Sequence, residues 1–397
     1  MNVLKTTPFH TRTSALMQGD QWRRWNGHTV ASAYELTLDR EYLAVRNACA
    51  FFDVSALCKY TIRGKDARSY LNRLVTRDIS KLGVGQMTYT PWCNSRGKVV
   101  DDGTIMCIQE DLFRLTAAET NYYWLLENAD GFDVTIEDVS DALGTVAVQG
   151  PRSRDILVEL LGESIRNLPF YGWVDGDFRG QPLTVSRTGY TGDLGYEVWC
   201  PVAQAEAFWD ALMEVGRRYA AQPAGIWALD VARIEAGLIM LGVDYVAANH
   251  AIAEHQASTP YEIGLGWAVH LKKGPFVGRK ALAKEKAEGS NLSLVGLEID
   301  HQALSAHYEE LGIPTEYPFV PWRAVVPVFS EREQIGTMTC GVWSPTCKKY
   351  LALAQIRPSL AKPGTTVQIN QMVDRYQRRL DCRVAALPFF NPERKKV

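Results

Sequence analysis

The chain has 397 residues, 46% of them hydrophobic and 22% charged, with a formal net charge of −2. That length leaves room for two or three domains of roughly 100–200 residues each. The near-zero charge excludes the global basic field of a nucleic-acid or anionic-membrane protein, and no apolar run reaches the ~20 residues of a membrane span.

The first stretch, MNVLKTTPFHTRTSAL, lacks the apolar core of a secretory signal. The eight cysteines are scattered, with no C-x-x-C pair. They read as buried reduced thiols rather than a zinc site. These features predict a soluble, cytoplasmic protein.

EYLAVRNACAFFDVS reads as a helix running into a strand that ends at Asp53. KYTIRGKDARSYLNRLV reads strand, turn, helix, with Ala67, Tyr70, Leu71 and Leu74 on one helical face. In GQMTYTPWCNSRGKVVDDGTIMCI two short strands flank Asn94–Gly97, which has turn chemistry. LFRLTAAE is a third strand, NYYWLLENA a helix and FDVTIEDVS a further strand. Pro151 suits the start of a helix with Ile156, Leu157, Leu160 and Leu161 on its apolar face. LTVSRTGYTGDLGYEVWCP reads strand, glycine-rich turn, strand; AEAFWDALMEVGRRYAAQPAG reads helix, then loop, and ALDVARIEAGLIMLG reads as a further helix. After residue 290 the pattern changes to six short β-type runs: LVGLEI, AVVPVF, IGTMTCG, LALAQI, TVQIN and CRVAALPFF. That pattern predicts a small C-terminal β-barrel.

Two features carry possible chemistry. Asp101 and Asp102 sit inside an apolar strand, where a carboxylate is costly unless hydrogen-bonded or functional. Alternation puts them on opposite faces, so one can face solvent or a turn while the other faces a cavity. A strand-end turn acid is the plain alternative. Gly189, Gly192 and Gly195 lie close together between two strands, beside Tyr190, Tyr196 and Glu197. They fit either a structural hairpin or a close approach to a flat heteroaromatic ligand with an amidine-like N–H edge. His250 and His255 lack metal-site spacing, and no metal site is expected. Any anionic ligand needs a local basic cluster, for which Arg394-Lys395-Lys396 is a candidate.

Taken together, AVRNACAFFDVSAL, NSRGKVVDDGTIM, AVQGPRS, SRTGYTGDLGYEV, ALDVARIEAGLIMLGVDY, GLGWAVHLKKGPFVGRKAL and GTMTCGVWSPTCKKYLALAQI resemble the folate-dependent aminomethyltransferase (T-protein) family of the glycine cleavage system. The ordered set runs from about residue 40 to the C-terminus.

The resemblance implies an α+β, three-domain cloverleaf around a central tetrahydrofolate funnel. Its parts would be residues 1–54 with 136–245, residues 55–135 with 246–290, and a barrel over residues 291–397. It implies Asp102 as the catalytic acid facing the cavity. Glu197 would read the pterin edge, with Tyr190 as its companion and Tyr89 packing near the ring. Arg233, Arg394 and Lys395 would also serve folate binding. Two positions depart from the family pattern: Leu229 stands where an arginine is usual, and Ala117 where an asparagine is usual. With the unusual aromatic stretch QWRRWNGHTVASAYELTLDREY, they favour a stand-alone demethylase that moves a methyl or methylene group from a small N-, S- or O-methylated donor. One alternative is the glycine cleavage step on a lipoyl carrier protein. Another is a non-catalytic folate-binding accessory protein, whose branch carries a K-G-C-Y-x-G-Q-E signature where this chain has RIEAGLIML. No nucleic-acid or membrane partner is expected.

Overall fold

Alternating apolar residues in Leu143–Gln149 and Gly195–Pro201 build the heart of the first sheet. The two strands pair antiparallel without a break, Val146 opposite Val198 and Ala147 opposite Glu197. Val146, Val148, Tyr196, Val198 and Cys200 turn into one apolar core, covered by helices Ser153–Leu161 and Ala205–Arg217 through Ile156, Leu157, Phe208, Trp209 and Leu212. Each such side chain, once buried, contributes ~1.5–3 kcal/mol. The computed structural model describes residues 4–318 and 320–396. In it this sheet has six strands, ordered Trp173–Phe178, Gln181–Ser186, Gly195–Pro201, Leu143–Gln149, Ala50–Asp53 and Gln222–Pro223.

A second sheet of five strands is ordered Met87–Cys93, Val99–Gln109, Leu112–Ala117, Cys58–Arg63 and Thr135–Asp138. Phe113, Leu115 and Ala117 face its core, against which helix Ala67–Leu74 packs Ala67, Tyr70, Leu71 and Leu74. Strand Thr135–Asp138 pairs with Cys58–Arg63. A division between residues 135 and 136 therefore cuts a strand; the chain crosses between the sheets after Asp138.

Six strands between Ser293 and Ala385 close into the C-terminal barrel, as the six apolar runs predicted. Ser293–Ile299 closes it by pairing with both Lys349–Ile356 and Tyr376–Ala385, which leaves no open edge.

The N-terminal segment, for which no element was predicted, forms a small three-stranded sheet of Lys5–Thr6, His28–Ala31 and Trp22–Trp25. Two local readings need correction. Pro151 lies in the turn before its helix, which starts at Ser153. The helix in ALDVARIEAGLIMLG stops at Glu235, because Gly237 takes a left-handed φ of 65°. The eight cysteines are free thiols, and all but Cys347 are buried. Among the described residues no helix is long and apolar enough to cross a membrane.

Candidate active site

The face of the first sheet that carries Glu197 and Trp199 and the face of the second that carries Arg114 turn toward each other. Their edges join where Met87 N donates to Tyr171 O at 2.8 Å and Trp173 N donates to Gly85 O at 3.0 Å. Deeper in, the Arg114 guanidinium of the second sheet lies 5.8 Å from the ring centre of Trp199 in the first.

Asp102 stands on the wall of this cleft. Gly103 beside it allows the neighbouring strand to approach: a Cβ there would lie 1.9 Å from Thr116 O. Asp102 Oδ2 accepts from the Tyr89 hydroxyl at 2.6 Å, and Oδ1 accepts from the Tyr245 hydroxyl. Both carboxylate oxygens are thus pinned. Burial pushes Asp102 above the ordinary carboxylate value, while Tyr245 and Tyr89 oppose that shift. Burial and the Asp102 charge push both phenols well above their ordinary value, so they remain donors.

Asp101 does point away from Asp102, but to the interior rather than to solvent or a turn. It is buried, accepting from Asn121 Nδ2 at 2.6 Å, Glu119 N at 3.3 Å and Asp102 N at 2.7 Å. Asn121 in turn accepts from Trp92 Nε1 at 3.2 Å. This satisfied network fixes the backbone from which Asp102 projects.

Glu197 stands on the opposite wall, one strand position from Tyr196 in the core. Its Oε2 accepts from Thr188 Oγ1 at 3.1 Å, and among the described residues its other oxygen has no hydrogen-bond partner. Burial pushes its pKa up to about 7, against the pull of Thr188 and Lys59. The glycine-rich loop before it is folded around the buried Gln149 amide. Gln149 Nε2 donates to Thr188 O at 3.2 Å and Tyr196 O at 3.1 Å, and its Oε1 accepts from Thr191 Oγ1 at 2.9 Å. A Cβ at Gly189 or Gly195 would stand 2.0 or 2.2 Å from Gln149 Oε1, which explains two of the three glycines. Tyr190 leaves this loop half-buried and donates to Ile239 O.

The structure therefore gathers Tyr89, Asp102, Tyr190 and Glu197 around one cleft, and adds three aromatic residues that sequence reasoning missed. Tyr245 lies in the segment GLIMLGVDY, where only its hydroxyl contact to Asp102 reveals it. Tyr171 takes a left-handed φ of 60° at the joined sheet edges. Trp267 is 56% exposed, stacked 6.1 Å from Tyr89 and covered by the Arg77 guanidinium at 5.1 Å. Tyr171 carries no local motif, and Trp267 lies within the matching segment GLGWAVHLKKGPFVGRKAL without a role assigned to it there.

The expected basic residues are placed differently. Arg233, read as a folate contact, has no exposed surface; it pairs with Asp230 at 2.6 Å and with Asp244. Its place is structural, under the junction with the barrel. Arg394 donates twice to Asp193, both at 2.7 Å, and to Arg46 O at 3.2 Å, so it straps the C-terminal segment down. Lys395 lies 6.0 Å from the Phe170 ring, next to Tyr171.

A hollow of about 200 Å³ lined by Asn94, Arg96, Lys98 and Glu254 sits at the hairpin tip and does not include Asp102.

A pinned carboxylate and a half-open one stand on the walls of a cleft between two sheets, backed by a closed barrel, in a three-part α+β architecture. Residues 9–273 match the family model for the GCVT N-terminal domain, and residues 293–391 match that for the glycine cleavage T-protein C-terminal barrel domain. The chain belongs to this aminomethyltransferase family and is an enzyme of it. An aminomethyltransferase of Caldanaerobacter subterraneus subsp. tengcongensis is 35% identical over 83% of this chain and 82% of its own. A trimethylamine-oxide aldolase of Ruegeria pomeroyi is 33% identical over 99% of this chain, which spans 48% of that longer protein. The crystal structure of glycine cleavage system aminomethyltransferase T from Bartonella henselae superimposes with a TM-score of 0.83, covering 98% of both chains at 25% identity.

Proposed function

We propose that the chain is a tetrahydrofolate-dependent one-carbon transferase whose donor is a small methylated compound rather than a carrier-bound group. The observation that carries the reading is the pair of carboxylates on facing walls, Asp102 held by two phenols and Glu197 with one oxygen open.

The residues present fit tetrahydrofolate. A reduced pterin offers an amino-pyrimidine edge of N–H donors, which matches the open carboxylate of Glu197, and flat rings that match the faces of Tyr89 and Tyr190. When bound, tetrahydrofolate supplies a nucleophilic ring nitrogen. The protein's part is to align the donor carbon with that nitrogen and exclude water. Asp102 stabilises positive charge that develops in the cleft, or takes up a proton at a carboxylate oxygen. Tyr89 and Tyr245 hold it in one orientation throughout.

One comparison favours a free methylated donor: the trimethylamine-oxide aldolase aligns with nearly the whole chain. Leu229 and Ala117, 5% and 1% exposed, lie in apolar cores away from the cleft and do not bear on the donor. The second reading, transfer of an aminomethyl group from a lipoyl carrier, is favoured by the aminomethyltransferases among the relatives.

The test incubates the protein and tetrahydrofolate with a panel of N-, S- and O-methylated compounds and follows the folate by mass spectrometry. One-carbon transfer without a carrier protein is expected. Transfer only from an aminomethylated lipoyl carrier would overturn the donor assignment. Asp102→Asn is expected to abolish turnover while tetrahydrofolate affinity stays within about threefold, since the isosteric amide preserves shape but not charge. Near-normal turnover would remove Asp102 from the chemistry.

A further inference from the structure

Arg114 is the anomaly of the cleft. It projects from strand Leu112–Ala117, whose alternate residues Phe113 and Leu115 enter the core, so its side chain lies between the sheets. Among the described residues its guanidinium makes no hydrogen bond and no ion pair, and its Nε and Nη1 are buried without a partner. A buried donor without an acceptor forfeits its hydration for nothing, and native proteins keep few of them. The Trp199 ring stands against it, with Cζ 5.8 Å from the centroid, and the Asp175 carboxylate acts on its charge from the same row of the sheet without hydrogen-bonding to it. The nearby cation Lys59 is differently engaged, since its Nζ donates to Ser55 O at 2.7 Å and Leu57 O at 2.9 Å.

The neighbours of Arg114 say what would complete it. Trp199 is two residues from Glu197 on the same strand face, a separation of about 7 Å. A ligand edge seated on the Glu197 carboxylate through N–H donors therefore ends beside Arg114. The group it presents there must be an acceptor. In a 4-oxopteridine the N–H edge is flanked by a carbonyl oxygen, which gives that order of donor, donor, acceptor.

We infer that Arg114 is a specificity-determining residue, donating from its guanidinium to the 4-oxo oxygen of the bound pterin next to the N–H edge read by Glu197. The inference rests on the folate reading above and deepens it. The cleft then accepts 4-oxopteridines and rejects 2,4-diaminopteridines, in which a donor replaces the carbonyl and faces the guanidinium.

Calorimetry tests this with tetrahydrofolate and its 4-amino analogue, on the wild-type protein and on Arg114→Met and Arg114→Lys. Wild type is expected to prefer tetrahydrofolate. Arg114→Met is expected to lose about 10- to 100-fold in tetrahydrofolate affinity, the range for a hydrogen bond from a charged donor. It should lose little for the 4-amino analogue, so the preference collapses. Arg114→Lys, which keeps charge but not the fork, should fall between. The melting temperature of ligand-free Arg114→Met separates recognition from architecture. It should match or exceed wild type, because the variant removes two buried N–H donors that have no acceptor. Equal losses for both ligands, unchanged affinity for both, or a ligand-free Arg114→Met that melts well below wild type would each overturn the assignment. If wild type binds no tetrahydrofolate at all, the folate reading itself falls.

Discussion

Glu197 holds its proton up to about pH 7 because the cleft withholds water from its charged form, with Thr188 and Lys59 offsetting part of that penalty. A ligand that offers two N–H groups binds the ionised form. The sign follows from linkage: the free site takes up a proton as pH falls through 7, and binding must then expel it. Tetrahydrofolate affinity is therefore expected to drop roughly tenfold between about pH 8 and about pH 6. Glu197→Gln should bind more weakly at high pH and lose the pH dependence. Titration calorimetry at the two pH values checks both, and a flat wild-type profile would show that this carboxylate does not hold the ligand. Asp102 is raised in the same direction, yet its two phenol donors are present before any ligand arrives, so its proton affinity should respond less to binding.

At the scale of elements, the loop from Arg187 to Leu194 owes its shape to one side chain from a neighbouring strand. Gln149 satisfies Thr188 O and Tyr196 O and accepts from Thr191, while Gly189 and Gly195 leave room for its amide. Gln149→Leu keeps the volume but leaves two buried carbonyls without donors. A loss of about 2–4 kcal/mol in stability is expected by urea unfolding, together with weaker tetrahydrofolate binding because Thr188 then no longer holds Glu197. Stability within about 0.5 kcal/mol of wild type would mean that water replaces the amide. The strands and helices of this region are legible because period-2 and period-3.6 patterns are local: RTGYTGDLGYE announces a turn between two strands, and the six apolar runs after residue 290 announce the barrel. The glutamine is not legible. Its contacts reach residues about 40 positions away, and AVQGP carries no local signal of them. The pair Asp101–Asp102 is conspicuous as acids inside an apolar strand, and only the family resemblance chose Asp102 from it, whereas Tyr245, 143 positions further on, could not be singled out. Arg114 in LFRLTAAE reads only as a strand residue until the opposite sheet is in place.

The whole molecule depends on how the barrel docks on the first sheet's helices, and the residue that most misled sequence reasoning explains why. Arg233 joins Asp230 and Asp244, all without exposed surface. From the barrel side, Arg323 Nε reaches Asp230 at 2.8 Å, Thr339 and Cys340 donate to Asp244, and Gln355 Nε2 donates to Asp244 O at 2.5 Å. Leu229 sits in the apolar cluster that includes Cys340, Val342, Leu351 and Leu353, so it is part of the same joint. Burial pushes Asp230 up, but Arg233 and Arg323 outweigh it and hold the carboxyl below its ordinary value. A carboxyl depressed in the folded state stabilises the fold above its unfolded pKa, and that contribution is lost as pH falls below about 4. Arg233→Met should leave buried Asp244 without a cation and Asp230 with Arg323 alone, and lose about 3–5 kcal/mol. Adding Asp230→Asn and Asp244→Asn should restore part of the loss, since the uncompensated charge does the damage rather than the missing contact. Urea unfolding of the single and triple variants measures both effects. A triple variant no more stable than Arg233→Met would mean that the joint depends on the geometry of the ion pairs, and that removing the charges leaves it equally broken.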